Sequence, residues 1–181
     1  MQAIVETSLL RQFQREIERQ CQFGMIALQD MDEASANGDG KLFWYSVQGL
    51  LFAVERISKL LWPQHPESGG RGAILRENLG VADDSPLGPS DFVHRFLRYD
   101  ESLEGWHSSS EHRRFFDSYT EPLDVLAETP PEDRFRGYQL EENALLFHGE
   151  TYPLEPISLA LEDLQHKSEE EMQKPRFDHD H

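Results

Sequence analysis

The stretch from Phe43 to Trp62 constrains this chain more than any other. Phe43, Val47, Leu50, Val54, Ile57 and Leu61 step by four, three, four, three and four residues, the interval that lines one face of an α-helix. Leu51, Phe52 and Leu60 widen the stripe, which predicts a helix buried on more than one side, and Pro63 stops it. The run is about one membrane thickness long, but Glu55, Arg56 and Lys59 interrupt it, so it reads as a core helix and not a membrane span.

A helix this apolar needs partners. Upstream, Leu10, Phe13, Ile17, Cys21, Gly24, Leu28 and Met31 recur at three- and four-residue steps, predicting a first helix over about Val5 to Ala34. Ser35 to Gly40 then forms a flexible turn, which makes the two helices an antiparallel pair. The lone cysteine, Cys21, lies on the apolar stripe and reads as a buried, inert thiol. A single cysteine excludes an internal disulfide; with no signal-peptide pattern at the start, the expected location is cytoplasmic.

Beyond a Pro- and Gly-rich loop, Ala73 to Leu79 predicts a short helix ended by Gly80. A loop with repeated breakers leads to Ser90 or Asp91, either of which can cap the next helix. There Phe92, Phe96, Tyr99, Leu103 and Trp106 make a core-facing aromatic stripe along one continuous helix. Another helical turn or two is expected at His112 to Phe116. The period changes to two at Arg136–Leu140 and Ala144–His148, a small β-hairpin or three-stranded meander over about 136–153. A last helix starts near Leu154 or Pro156, with Leu154, Ile157, Leu161 and Leu164 on its apolar face. The fold class is therefore mainly α: an up-and-down helical bundle of four to five helices with a small β-hairpin before the C-terminal helix. Residues 1–168 are expected to form one domain, and 169–181 a charged tail without fixed structure.

The formal net charge of -17 opposes loose attachment to nucleic acid or to an anionic membrane. Against that background, Asp91 to Arg114 is a relatively positive island holding His94, Arg95, Arg98, His107, His112, Arg113 and Arg114. His94 and Arg98 are four residues apart and so are neighbours on a helix. One reading makes His94, Arg95 and Arg98 a surface or dimer-contact face, with Arg98 paired to Glu101 or Asp91. Metal chemistry is not expected. The tail Asp178-His179-Asp180-His181 is too frayed to preorganise a site, and His107 and His112 are five apart, not four. Phosphate-loop, nucleophile-elbow and zinc motifs do not occur, and no cofactor is implied.

The helix FWYSVQGLLFAVERISKLLWP (43–63) and the run FLRYDESLEGW (96–106) resemble an uncharacterised bacterial branch of the HEPN superfamily of all-α proteins. In that branch an aromatic-rich helix precedes a segment like R-N-x-x-x-H-[FY]-D-E-x-[LI]-x-x-W. Tyr99-Asp100-Glu101, Leu103 and Trp106 carry the match, and the likeness extends over roughly two thirds of the chain. The resemblance implies a HEPN-like bundle and a homodimer. Active members of the superfamily cut RNA without metal, using an Arg and a His of R-x(4–6)-H in the cleft between protomers. Here Arg98 stands at the motif's His, and Val93 and His94 stand at its Arg and Asn. The literal spacing occurs only at Arg176 and His181, in the tail, where it reads as chance. The expected function is a non-catalytic HEPN-like protein acting through protein–protein contacts, in a stress or phage-defence setting. The alternative is a metal-independent endoribonuclease, with His94 moving protons and Arg98 holding phosphate at a dimer cleft. In either case Arg95, Glu101, His107, His112, Arg113 and Arg114 would contact the RNA or a protein partner.

Overall fold

A computed structural model describes residues 7–122 and 124–174. Two long helices dominate: α1 (Thr7–Asn37) and α2 (Gly40–Leu61). The turn between them is sharp because Gly38 takes a φ of +69°, a left-handed conformation that costs glycine little. Asp39 then caps α2 by accepting from the Leu42 N–H at 3.0 Å. Every residue of the Phe43-to-Leu61 stripe is buried, as is Leu51. Phe52 is not: it is 57 % exposed, so α2 keeps one solvent-facing side where burial was expected.

The next elements fasten the end of α2. Helix α3 (Gly69–Asn78) starts earlier than Ala73 and closes on α2 at Gly72, where a β-carbon would lie 2.6 Å from the Leu61 carbonyl oxygen. Arg76 donates to that same carbonyl and stacks over Trp62 at 5.2 Å, satisfying an orphan acceptor at the helix end.

The single aromatic helix expected over Asp91 to Trp106 is two helices. Ser90 caps α4 (Asp91–Leu97), Arg98 leaves helical geometry at φ -93° and ψ 52°, and α5 (Tyr99–Ser109) begins at once. Phe92 and Phe96 are buried, and Tyr99, Leu103 and Trp106 still pack on the core. The break turns α5 toward polar partners that a continuous helix has no need to reach. Trp106 Nε1 donates to Asp133 Oδ1 at 2.7 Å, and the Tyr99 ring lies under the Arg136 guanidinium at 4.4 Å.

No helical turn forms at His112 to Phe116. The segment is irregular, with Arg113 at a φ of 49°, and Phe116 pairs as a bridge with Arg134 while Phe115 packs on Trp106 and Phe135. It leads into β1 (Tyr119–Glu121), a strand absent from the sequence reading. With β2 (Gly137–Gln139), β3 (Ala144–Phe147) and β4 (Glu150–Pro153) it makes a four-stranded sheet in the order β1-β2-β3-β4. The first pair is parallel and the other two antiparallel.

Helix α6 (Glu155–Gln173) follows directly and packs on α1. Its Leu161 closes over Gly24, where a β-carbon would come within 2.9 Å of that side chain. Residues 169–173, assigned by composition to the tail, belong to this helix, whose Ser168 is fully buried. Residues 175–181 lie outside the described part. The described residues thus form six α-helices, two or one more than expected, with a small sheet before the last. None is long and apolar enough to cross a membrane.

Gly137 shows how tightly β1 is seated. It pairs in register with Tyr119, and a β-carbon there would lie 2.4 Å from the buried tyrosine ring. Gly137→Ala is expected to destabilise the protein by about 1–3 kcal/mol through overpacking, read as a shifted midpoint in urea unfolding.

Candidate functional site

The residues singled out from the sequence separate into three places. His94 and Arg98 are exposed at the end of α4, with His94 Nε2 and Arg98 Nη1 3.4 Å apart. Arg98 also pairs with Glu101 at 3.3 Å on the first turn of α5. Arg95 turns the other way and forms an ion pair with Glu150 on β4. His107, His112, Arg113 and Arg114 are exposed at the end of α5 and in the segment after it. The Arg114 backbone N–H serves Asp133, so that stretch is organised around a buried carboxylate and not around His94.

His94 and Arg98 do line a cavity, of about 320 Å³, together with Phe52, Glu55, Arg56, Lys59 and Leu97. None of the four residues from His107 onward lines it. Glu55 is held by Lys59 at 2.9 Å. The notch therefore presents Arg56, Lys59 and Arg98 around one imidazole at the junction of α2 and α4. Two of these three cations already meet a carboxylate, Lys59 that of Glu55 and Arg98 that of Glu101. Among the described residues, no group of three or more His, Cys, Asp or Glu is placed to hold a metal ion.

A second cavity, of about 440 Å³, continues from the first across Phe52. Its floor is small: Ala27 on α1 and Gly49 on α2, where a β-carbon on Gly49 would meet Ala27 Cβ at 3.8 Å. Its walls are large and apolar. Phe23 is 50 % exposed, Ile26 56 %, Tyr45 73 % and Phe52 57 %. The four large side chains are contiguous and open to solvent. Asp30 closes the end nearest the α1–α2 turn. The sequence carried a signal for it: Phe23, Ile26 and Tyr45 fall off the core-facing stripes, on the sides otherwise given to polar residues.

Elsewhere, several titratable groups serve as internal supports. Asp117 accepts from Arg136 Nε at 2.8 Å and from the Arg136 backbone N–H at 3.2 Å. Burial alone would raise its pKa, but the hydrogen bonds and charge of Arg136, with help from Tyr99, leave it below the usual carboxylate range. Asp133 is buried and likewise held low, as hydrogen bonds from Ser110, Trp106 and the Arg114 N–H outweigh desolvation. His148 has its imidazole pKa lowered, chiefly by burial, and its Nδ1 lies 2.9 Å from the Glu132 carbonyl. Burial, then Glu18, pushes the Cys21 thiol up to about 12.

Comparison of the chain with protein-family models, with curated proteins and with solved structures returned no match.

Two outcomes follow from these supports. Asp117→Asn is expected to cost about 2 kcal/mol at neutral pH, because it weakens a mostly buried pair. A lowered native pKa stabilises the fold above the ordinary value of 3.8 and is lost as pH falls through the native value, so wild type and variant should converge in acid melts. Cys21 should resist a thiol-specific reagent at about pH 8 in the folded protein and react fully once the protein is unfolded.

Proposed function

We propose that this is a non-catalytic protein that acts through protein contacts, and that its α1–α2 groove is the face of a homodimer. The observation that carries this reading is the groove itself: four large apolar side chains, each half or more exposed, around a floor of Ala27 and Gly49. A surface of that character is satisfied by burial against a like surface, as in the isologous contact of a two-fold dimer. The HEPN-like resemblance points the same way, since that superfamily commonly pairs its protomers, and the departures at Val93, His94 and Arg98 fit a member without cleavage chemistry. The surroundings of His94 support the non-catalytic side. The imidazole is exposed, its Arg98 neighbour is shared with Glu101, and the nearby Glu55 is tied to Lys59.

Sedimentation velocity across a concentration series tests the reading. Wild type is expected to dimerise and Phe52→Asp to stay monomeric with an unchanged circular-dichroism spectrum, because residue 52 is exposed in the single chain. A wild type that is monomeric throughout the series defeats the homodimer. In parallel, wild type and His94→Ala are incubated with structured and single-stranded RNA in EDTA. Cleavage by wild type that His94→Ala abolishes would establish the ribonuclease in place of the contact protein.

A further inference from the structure

The chain holds three asparagines, and only Asn37 precedes a glycine. Asn78 is followed by Leu79, which is buried and whose backbone N–H donates to the Leu75 carbonyl at 3.0 Å. Asn143 is followed by Ala144, buried in β3, and its side-chain oxygen accepts from the Tyr138 hydroxyl at 2.9 Å. Asn37 is the last residue of α1 and is exposed, as is Gly38 after it. A β-carbon on Gly38 would meet nothing within 4 Å, so the backbone there stands clear of the fold. The Gly38 N–H reaches the Ser35 carbonyl by a long bond of 3.3 Å, whereas the next N–H, of Asp39, is held by Ala34 at 2.9 Å. The last residue of a helix also frays at little cost.

That placement opens Asn37 to an internal reaction. The Gly38 nitrogen, once it has given its proton to base, attacks Asn37 Cγ. The N–Cγ bond forms, the Cγ–Nδ2 bond breaks, and Nδ2 leaves as ammonia. The product is a cyclic imide, which water opens at either of its carbonyls. Breaking the new N–Cγ bond leaves aspartate. Breaking the original peptide C–N bond leaves isoaspartate, in which the main chain runs through Cγ. In sum, an amide and water give a carboxylate and ammonium, with no change of oxidation state. A side chain in place of the Gly38 hydrogen crowds the attack, which leaves Asn78 and Asn143 slow beside Asn37.

We infer that Asn37–Gly38 is a site of self-deamidation, with water as the co-reactant, and that its products loosen the α1–α2 joint. Either product puts a new negative charge at the C-terminal end of α1, where the helix dipole disfavours one, between Glu33 and Asp39 in sequence. Isoaspartate also lengthens the backbone by a carbon, inside the turn that is closed by the Gly38-to-Ser35 and Asp39-to-Ala34 bonds.

Incubating the folded protein in alkaline buffer, followed by peptide mass mapping, tests the site. The mass gain of an amide turned to a carboxylic acid is expected on the peptide holding Asn37 and not on those holding Asn78 or Asn143. It should be lost in Asn37→Gln, whose longer side chain closes a ring far less readily, and isoaspartate-specific enzymatic methylation should fall with it. Asn37→Ser serves the same comparison should Asn37→Gln fold poorly. Aged wild type is then expected to melt at a lower temperature than the equally aged variant. No gain on the Asn37 peptide of the folded protein overturns the inference; a gain there once the chain is unfolded in guanidinium would name the turn as what protects it. Methylation that persists undiminished in Asn37→Gln also overturns the site, because it places the isoaspartate at Asp39–Gly40. Equal melting of aged wild type and variant overturns the loosening of the joint.

Discussion

The structure depends on the seam between α1 and α2. Ala27 and Gly49, two small residues, face each other across it, and a β-carbon on Gly49 would meet Ala27 Cβ at 3.8 Å. On the inner side that closeness lets Val47, Leu50, Leu51 and Val54 reach Ile17, Cys21 and Met31 in one core. On the outer side it leaves a shallow floor between larger residues, which is the groove. The same two small residues thus bear on both the core and the exposed face. Three further helices rest on this pair: α6 lies on α1, while α3 and α4 lie on α2.

The arginines show how a strongly acidic chain uses scarce positive charge. Arg136 holds Asp117 and covers Tyr99, and Arg76 serves a carbonyl at the end of α2. Arg134 donates to the Leu126 and Thr129 carbonyls, holding together a segment of short helical turns. Arg71 lies over the Phe13 ring at 4.4 Å. Each of these is committed to the fold. The cations of the notch are different, because Arg56, Lys59 and Arg98 face a cavity.

How much of this was legible in the sequence follows from how local each signal is. The α2 stripe repeats over five turns, so its C-terminal end and its buried face could be read directly, with Pro63 as the stop. The break at Arg98 could not, because the aromatic spacing runs through it unaltered; what breaks the helix is the pull of Asp133 on Trp106 and of Arg136 on Tyr99, partners more than 25 residues away. Strand β1 was hidden for a similar reason. Three residues give no alternation to detect, and their partners lie on β2 across an irregular stretch. The groove was half visible: Phe52 was noticed but assigned to the core, since an apolar residue beside a stripe widens it in sequence whether or not anything covers it in space. His94 and Arg98 were rightly placed as neighbours, and only the structure showed Phe52, Arg56 and Lys59 beside them.

The parallel pairing of β1 with β2 bears on the order in which the molecule assembles. The α1–α2 pair is joined through Gly38 and Asp39, and β2, β3 and β4 through short reversals, so these contacts close over small loops and form quickly. Strand β1 cannot pair until residues 122–136 have been led round to bring β2 alongside it in the same direction. That larger loop has a higher entropy of closure. The helical pair and the β2–β3–β4 meander therefore close over shorter loops than the strand whose tyrosine covers Gly137.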